Sequence, residues 1–418
     1  MTNYKLTRLF GVLLLLFLLT TVQAQTNSTA RSLGLAHAYT AVARGVAAPI
    51  WNPANLALPD RPPVSIQLVG AGCRVGNVTF SKSTYDRYNG KYLTTSDVND
   101  ILAKVPDDGF KLYVDTDVQA IGLTIGPFAL TVSGVANSNL SLSKDYLRIL
   151  LEGIYAGRTY HIGNNYGSAF GYSSVTASYA FPISVPVMEK LYIGTNVSYL
   201  LGLGYAEIVD SYGQFYHGGY EVNGEGRLRA RYAQGGAGFA ADFGLATQYH
   251  GWQFGVMLKN AVARINWKSK PEEFEAHFYT EQAITVENSA DDDSVLKSED
   301  TTRAISAFST SLPAELRIGA AHKWHSFLVA ADYHQGFSHR PGVSPKPYVA
   351  LSTEWQGIGF FPLRLGIGIG GEHGALLATG FGMKLGFFRL DYGICFYGGL
   401  LPSKASSLGM ALSTYLSF

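Results

Sequence analysis

Charge is scarce in this chain. Asp, Glu, Lys and Arg make up only 15% of its 418 residues, against roughly 25% in soluble domains, so a conventional hydrated surface is thinly provided for. The charges that exist nearly cancel, at net +1, which leaves no basic footprint for nucleic acid. Two cysteines, Cys73 and Cys395, are too few for a disulfide framework, and their separation in sequence predicts that they stay unpaired. After the N-terminal 24 residues no apolar run approaches the about 20 residues that a transmembrane helix requires. Gly-x-Ser-x-Gly elbows and paired catalytic carboxylates are also missing, so an enzyme is not expected.

The N-terminus itself reads as an export signal. Lys5 and Arg8 precede an apolar core of eleven residues, Leu9 to Leu19, and Val22-Gln23-Ala24 forms a small-residue cleavage site before Gln25. Residues 1–24 are therefore set aside as a signal peptide. No cysteine follows the cleavage site, so a lipid anchor is not expected.

What is abundant is glycine and aromatics: 47 Gly, 26 Tyr and 23 Phe. Export, low charge, many aromatics and no spanning helix together fit an all-β transmembrane barrel, apolar outside and girdled by aromatics. The residue pattern agrees. Leu363, Leu365, Ile367 and Ile369 alternate with Arg364, Gly366, Gly368 and Gly370; Phe388, Leu390, Tyr392, Ile394 and Phe396 alternate with Arg389, Asp391, Gly393 and Cys395. Period two puts the first set of each strand toward lipid and the second toward the interior. The final residues repeat it, with Met410, Leu412, Leu416 and Phe418 on one face, and a terminal Phe resembles the signal read by the barrel assembly machinery of Gram-negative bacteria.

Candidate strands are 64–72, 75–81, 118–125, 128–136, 173–180, 191–201, 235–249, 252–258, 313–322, 327–335 and 347–355, with four more at the C-terminus. That is roughly 14 or 15, and since bacterial single-chain barrels carry even numbers the expectation is an antiparallel barrel of about 14 strands over residues 61–418. Residues 97–105 and 144–154 have helical spacing instead, and 267–302 is polar and acidic, with Asp291, Asp292 and Asp293. Barrels have short periplasmic turns and long outer loops, so these stretches belong to extracellular loops at about 83–115, 138–170 and 263–305.

Residues 25–60 form a separate segment before the first strand. From Ala30 to Ala57 small residues dominate and the strand period is absent, which predicts a compact helical or irregular unit with a turn at Asn52-Pro53. Gly34, the Ala-Tyr-Thr-Ala-Val-Ala run at Ala38–Ala43 and Trp51-Asn52-Pro53-Ala54-Asn55-Leu56 together resemble the N-terminal segment of the FadL-like outer-membrane barrel superfamily. Two positions depart from that pattern: Asn55 and His37 stand where Gly is usual. The resemblance implies a plug, or hatch, inside a barrel of about 14 strands, with Trp51, Asn52, Pro53 and Ala54 as the gating residues.

Chemistry beyond this is sparse. His322 and His325, followed by His334 and His339, sit near a hairpin and have no third ligand that sequence can place, so no metal is expected. Asp291–Asp293 lacks the spacing of a calcium loop. Gly366, Gly368 and Gly370 lie within one strand, not at a strand-to-helix turn, and are read as room for the plug. Arg317, Asp332, His334, Arg364, Glu372, Lys384, Arg389 and Asp391 fall on the interior side of their strands. Their mixed signs predict ion pairs that hold a plug rather than an ion-selective pore.

Two functions remain. The superfamily includes transporters of long-chain fatty acids and other hydrophobic compounds, which implies plug-gated uptake of a hydrophobic or amphipathic ligand across an outer membrane of lipid and lipopolysaccharide, with no cofactor. It also includes PorV-type proteins, which implies a non-transporting scaffold for secretion-system proteins.

Overall fold

A computed structural model describes residues 29–186, 188–280, 284–285, 296–337, 345–372 and 374–418. The signal peptide, Asp291–Asp293 and His339 lie outside them. Fourteen antiparallel strands form one closed barrel: β1 Val64–Asn77, β2 Phe110–Ile125, β3 Phe128–Leu142, β4 Tyr166–Val185, β5 Met188–His217, β6 Gly235–Tyr249, β7 Trp252–Ser269, β8 Glu315–Trp324, β9 Phe327–Gly336, β10 Tyr348–Trp355, β11 Leu363–Gly370, β12 Gly374–Leu385, β13 Phe388–Tyr397 and β14 Ser407–Ser417. Each strand pairs with the next, and β14 closes the ring on β1 from Ser65↔Ser417 to Gly76↔Ser407. No described helix is long and apolar enough to cross a membrane.

Alternation explains the wall. Leu363, Leu365, Ile367 and Ile369 are exposed while Arg364 is buried between them, and Met410 and Leu412 are exposed while Ala411 and Ser413 are buried. Phe418 lies outside the wall and stacks on Phe387, ring centroids 5.5 Å apart. Cys73 is exposed and Cys395 buried, and both are free.

The two ends differ. At one, the strands are joined by tight turns, such as Ile125 to Phe128 and Leu385 to Phe388; at the other the connections are long. The long end carries helices Lys82–Tyr88, Thr95–Lys104 and Lys144–Glu152. Thr95–Lys104 begins with a reciprocal cap, Thr94 accepting from the Asp97 amide and Asp97 accepting from the Thr94 amide. Lys91 donates to both Asp97 oxygens at 2.8 Å. That ammonium first, and then the Thr94 amide and hydroxyl, hold the Asp97 carboxyl well below the usual carboxylate range.

Three expectations change. The stretches 64–72 and 75–81 are not two strands: one strand runs Val64–Asn77, with Cys73 and Arg74 pairing straight through with Thr116 and Asp115, and Ser81 caps the next helix; this removes the fifteenth strand. The acidic 267–302 stretch is not loop throughout: β7 runs on to Ser269, and Glu272–Thr280 pairs both with 296–304 and with Glu221–Ala233. There Phe274, Ala276 and Phe278 alternate with Glu273, Glu275 and His277, a pattern that suits a strand in water as well as one in lipid. β5 is 30 residues long, far beyond the about 9–11 that span a bilayer, so its outer half anchors this projecting sheet.

Candidate functional site

Residues 29–58 fold inside the ring as short turns of helix, Ala30–Gly34, Gly45–Ala47, Ala48–Trp51 and Pro53–Ala57. Small side chains allow it: Ala30, Ala36, Ala38, Ala43, Ala48 and Ala54 are all fully buried. The wall reciprocates with glycine. A Cβ on Gly393 would stand 2.4 Å from the Ala30 carbonyl oxygen, one on Gly194 2.2 Å from the Ala54 nitrogen, and one on Gly366 2.8 Å from Ala36. Of the three alternating glycines in β11, Gly366 alone makes room for this segment. Gly368 instead accommodates the Tyr348 ring, and Gly370 adopts φ +100° beside Pro347.

Trp51 is the centre of the segment. It is 1% exposed, its indole donates to Thr29 Oγ1 at 3.3 Å, Tyr39 meets it edge-on at 5.6 Å, and the Arg317 guanidinium lies 4.5 Å from its ring centroid. Asn52 next to it accepts from the Ala54 amide at 3.1 Å and donates to the Leu245 carbonyl of β6 at 2.8 Å. Pro53 opens the following turn, where it gives up no hydrogen bond. The two departures from the family pattern have uses of their own. The Asn55 amide donates to the Thr40 and Ala43 carbonyls at 3.0 and 3.1 Å. His37 adopts φ 64°, the left-handed region that favours Gly, and its Nε2 is 3.0 Å from the Tyr397 hydroxyl.

Charged groups tie the segment to the wall in two tiers. On the short-turn side Arg31 of the segment and Arg364 of β11 share Glu354 of β10, at 2.8 and 2.7 Å. Arg364 also reaches Asp391 at 2.6 Å, and Asp391 accepts from Tyr415 at 3.1 Å. On the long-loop side Arg317 pairs with Glu315 at 2.8 Å, Asp332 accepts from the Thr40 amide at 2.9 Å and lies 3.3 Å from His334, and Arg74 pairs with Asp115 while facing the Tyr113 and Tyr397 rings. Each of these buried charges is matched, as low-dielectric surroundings require.

Arg317, Asp332, His334, Arg364 and Asp391 are thus inside. Glu372 is not: it sits exposed in the turn before β12. Arg389 and Lys384 are half-buried at the short-turn rim, and among the described residues Arg389 bonds only to the Gly386 and Phe388 carbonyls. His322 and His325 stand at the exposed turn between β8 and β9, and His322 Nδ1 is 3.1 Å from the Gly251 carbonyl. Among the described residues no three His, Cys, Asp or Glu side chains converge as metal ligands.

Sequence reasoning missed the apolar lining of the lumen. On the long-loop side of the segment, Leu200, Tyr205, Ile265, Trp267 and Leu312 form a buried cluster with Phe170, Tyr172 and Phe308 packed against it. Tyr205 lies 5.3 Å from both Trp267 and Phe308. One bulge, at Leu203 of β5 opposite Gly171/Tyr172, moves the inward face from Leu200 and Gly202 to Tyr205; the rest follows straight alternation, with Met257, Ala263, Ile265 and Trp267 of β7 on one face, so it was the expectation of a polar interior that hid the lining. At the opposite end a cavity of about 180 Å³ separates the segment from the wall, lined by polar and charged side chains including Arg31, Ser65, Glu354 and Lys384.

Comparisons with known proteins agree with this geometry. A family of unknown function (DUF5723) matches residues 53–235. No functionally curated protein matches the sequence. The Ralstonia pickettii toluene transporter TbuX is 14% identical, with 92% of this chain and 98% of that one covered at a TM-score of 0.51. The CymD monoaromatic hydrocarbon channel is 13% identical, with 93% and 96% covered, also at 0.51. The resemblance to the FadL-like barrels that the N-terminal segment carries therefore extends to the whole molecule as a shared fold, a closed 14-stranded antiparallel barrel.

Proposed function

We propose that this protein is an outer-membrane channel of a Gram-negative bacterium for uptake of hydrophobic or amphipathic small molecules, gated by residues 29–58. The observation that carries the reading is the aromatic and aliphatic cluster turned inward above that segment, Phe170, Tyr172, Leu200, Tyr205, Ile265, Trp267, Phe308 and Leu312. A water-filled pore gains nothing from such a lining, whereas an apolar ligand gains about 25 cal/mol for each Å² it buries there. Trp51, Asn52, Pro53 and Ala54 link the segment to β5 and β6, so they are the residues through which it would move. The fold shared with hydrocarbon channels supports this reading, and no step in it requires catalysis.

The test is binding of an apolar fluorescent probe to the detergent-solubilised protein, together with uptake of a labelled monoaromatic by cells that express it. Trp267→Ala with Leu200→Ala is expected to weaken probe binding at least tenfold and to slow uptake while the barrel keeps its heat-modifiable mobility. Unchanged binding would overturn the reading.

One observation favours a second function, a PorV-type docking scaffold. Helix Lys144–Glu152 and the chain after it expose Leu150, Ile154 and Tyr155, each at least half accessible, outside the barrel, which is where a protein client would rest. Native mass spectrometry separates the two: a co-purified apolar molecule supports the channel, a stoichiometric protein the scaffold.

A further inference from the structure

We propose that the cavity at the short-turn end is a binding site for a small oxyanion, a carboxylate or phosphate, clasped between the lumen segment and the wall. Five cations line it, Arg31, Arg44, Arg364, Lys384 and Arg389, against two carboxylates, Glu354 and Asp391. Both carboxylates are already engaged, Glu354 by Arg31 and Arg364 and Asp391 by Arg364. Arg44 is neutralised by Asp60 at 3.0 Å. Two positive charges are left over, on Lys384 and Arg389.

Neither has a carboxylate in direct contact among the described residues. The Lys384 ammonium makes no hydrogen bond or ion pair among the described residues, and the Arg389 guanidinium reaches only the carbonyls of Gly386 and Phe388. Two like charges at a confined rim, where the lining acids Glu354 and Asp391 are already held by Arg31 and Arg364, favour an anion drawn in beside them.

A second observation points the same way. Ser65 is fully buried, lines the cavity, and its hydroxyl has no hydrogen-bond partner. Tyr39, 3% exposed, lines the same space and its hydroxyl makes no hydrogen bond among the described residues. A buried hydroxyl without a partner, as at Ser65, is unfavourable, and that of Tyr39 has its bonding capacity unused. An oxyanion satisfies them, accepting from both hydroxyls while the two cations balance its charge.

Size limits the ligand. A cavity of about 180 Å³ has room for acetate or inorganic phosphate, both of which match the two hydroxyls and two cations. Because Arg31 and Tyr39 belong to the lumen segment and Lys384, Arg389 and Ser65 to the wall, a bound anion fastens one to the other. This site is distinct from the apolar cluster on the far side of the segment, and its occupancy is read without transport, so it stands or falls separately from the uptake function.

The experiment is isothermal titration of the full-length, detergent-solubilised protein with sodium phosphate and with acetate, at constant ionic strength maintained with chloride. Saturable binding near one per barrel is expected. Lys384→Met with Arg389→Gln is expected to weaken it at least tenfold, Lys384→Arg to retain it, and Ser65→Ala to weaken it about threefold with no change in charge. The Ser65 variant decides the matter if the double variant does not fold. Absence of saturable binding by the unmodified protein, or equal affinity in the folded charge variants, would overturn the proposal. So would binding of decanoate with neither phosphate nor acetate bound, which would mean that the cations hold the head group of a long amphiphile instead.

Discussion

Single residues in this barrel act through close contact and through charges that have no alternative partner. Glu354 is 1% exposed and serves two arginines. Glu354→Gln leaves Arg31 and Arg364 with one carboxylate, Asp391, between them; loss of a partner from a buried ion pair costs about 3–5 kcal/mol. The expected result is a lower temperature for loss of heat-modifiable mobility on gels, accompanied by higher single-channel conductance as the segment loosens. Gly393 tests shape rather than charge. A Cβ there would lie 2.4 Å from the Ala30 oxygen, so Gly393→Ala is expected to displace the first helical turn and raise conductance in planar bilayers without preventing barrel assembly. If Gly393→Ala conducts like the unmodified protein, that contact does not hold the segment in place.

At the scale of elements, the strands and the outer helices respond to different solvents. Cysteines at 390 and 394 face outward on β13, whereas one at 389 lies on the other face at the short-turn rim. The outer pair is expected to react with lipid-soluble reagents and the rim position with aqueous ones; equal aqueous labelling of all three would contradict the assignment of faces. The helix at Thr95–Lys104 depends instead on an ionised cap. Asp97 has a folded pKa depressed by Lys91 and Thr94, so its contribution is present above the unfolded value of about 3.9 and is lost as pH falls through that value toward the folded one. Hydrogen exchange of amides 98–104 is expected to show fraying that begins near pH 4 and strengthens below it, while β13 amides remain protected. Asp97→Asn should show the acid behaviour already at neutral pH.

For the whole molecule, the question is whether residues 29–58 block the lumen. Removal of residues 30–56 takes away the buried alanine-rich segment but none of the strand pairing, so the truncated chain is expected to assemble as a barrel and conduct ions far better than the intact one. Equal conductance would show that the segment does not block the lumen, and the scaffold function would then lead. The fold shared with hydrocarbon channels at 14% and 13% identity reflects what closure demands of any such chain: alternating faces, tight turns at one end and no free edge.

Much of this was legible in the residues because it rests on local periodicity. Lipid-facing Leu363, Leu365 and Ile367, the helices near 97–105 and 144–154, and the compact Ala30–Ala57 segment all follow from patterns within a few positions of each other. Interactions between distant positions were not legible. Arg74 was hidden by a break placed at Cys73, which the pairing with Thr116 and Asp115 closes. Glu372 continues the interior parity of β11 in sequence, but the strand ends at Gly370. The apolar lining at Leu200, Ile265 and Trp267 lies on the regular inward faces of β5 and β7, but only the packing of those distant strands shows that these side chains meet in one cluster. Period and composition by themselves determined that this chain makes a barrel with a small-residue segment at its start. Tertiary structure alone decided which charges meet, which glycines the segment touches and where two cations are left unpaired, because each depends on register between residues up to hundreds of positions apart.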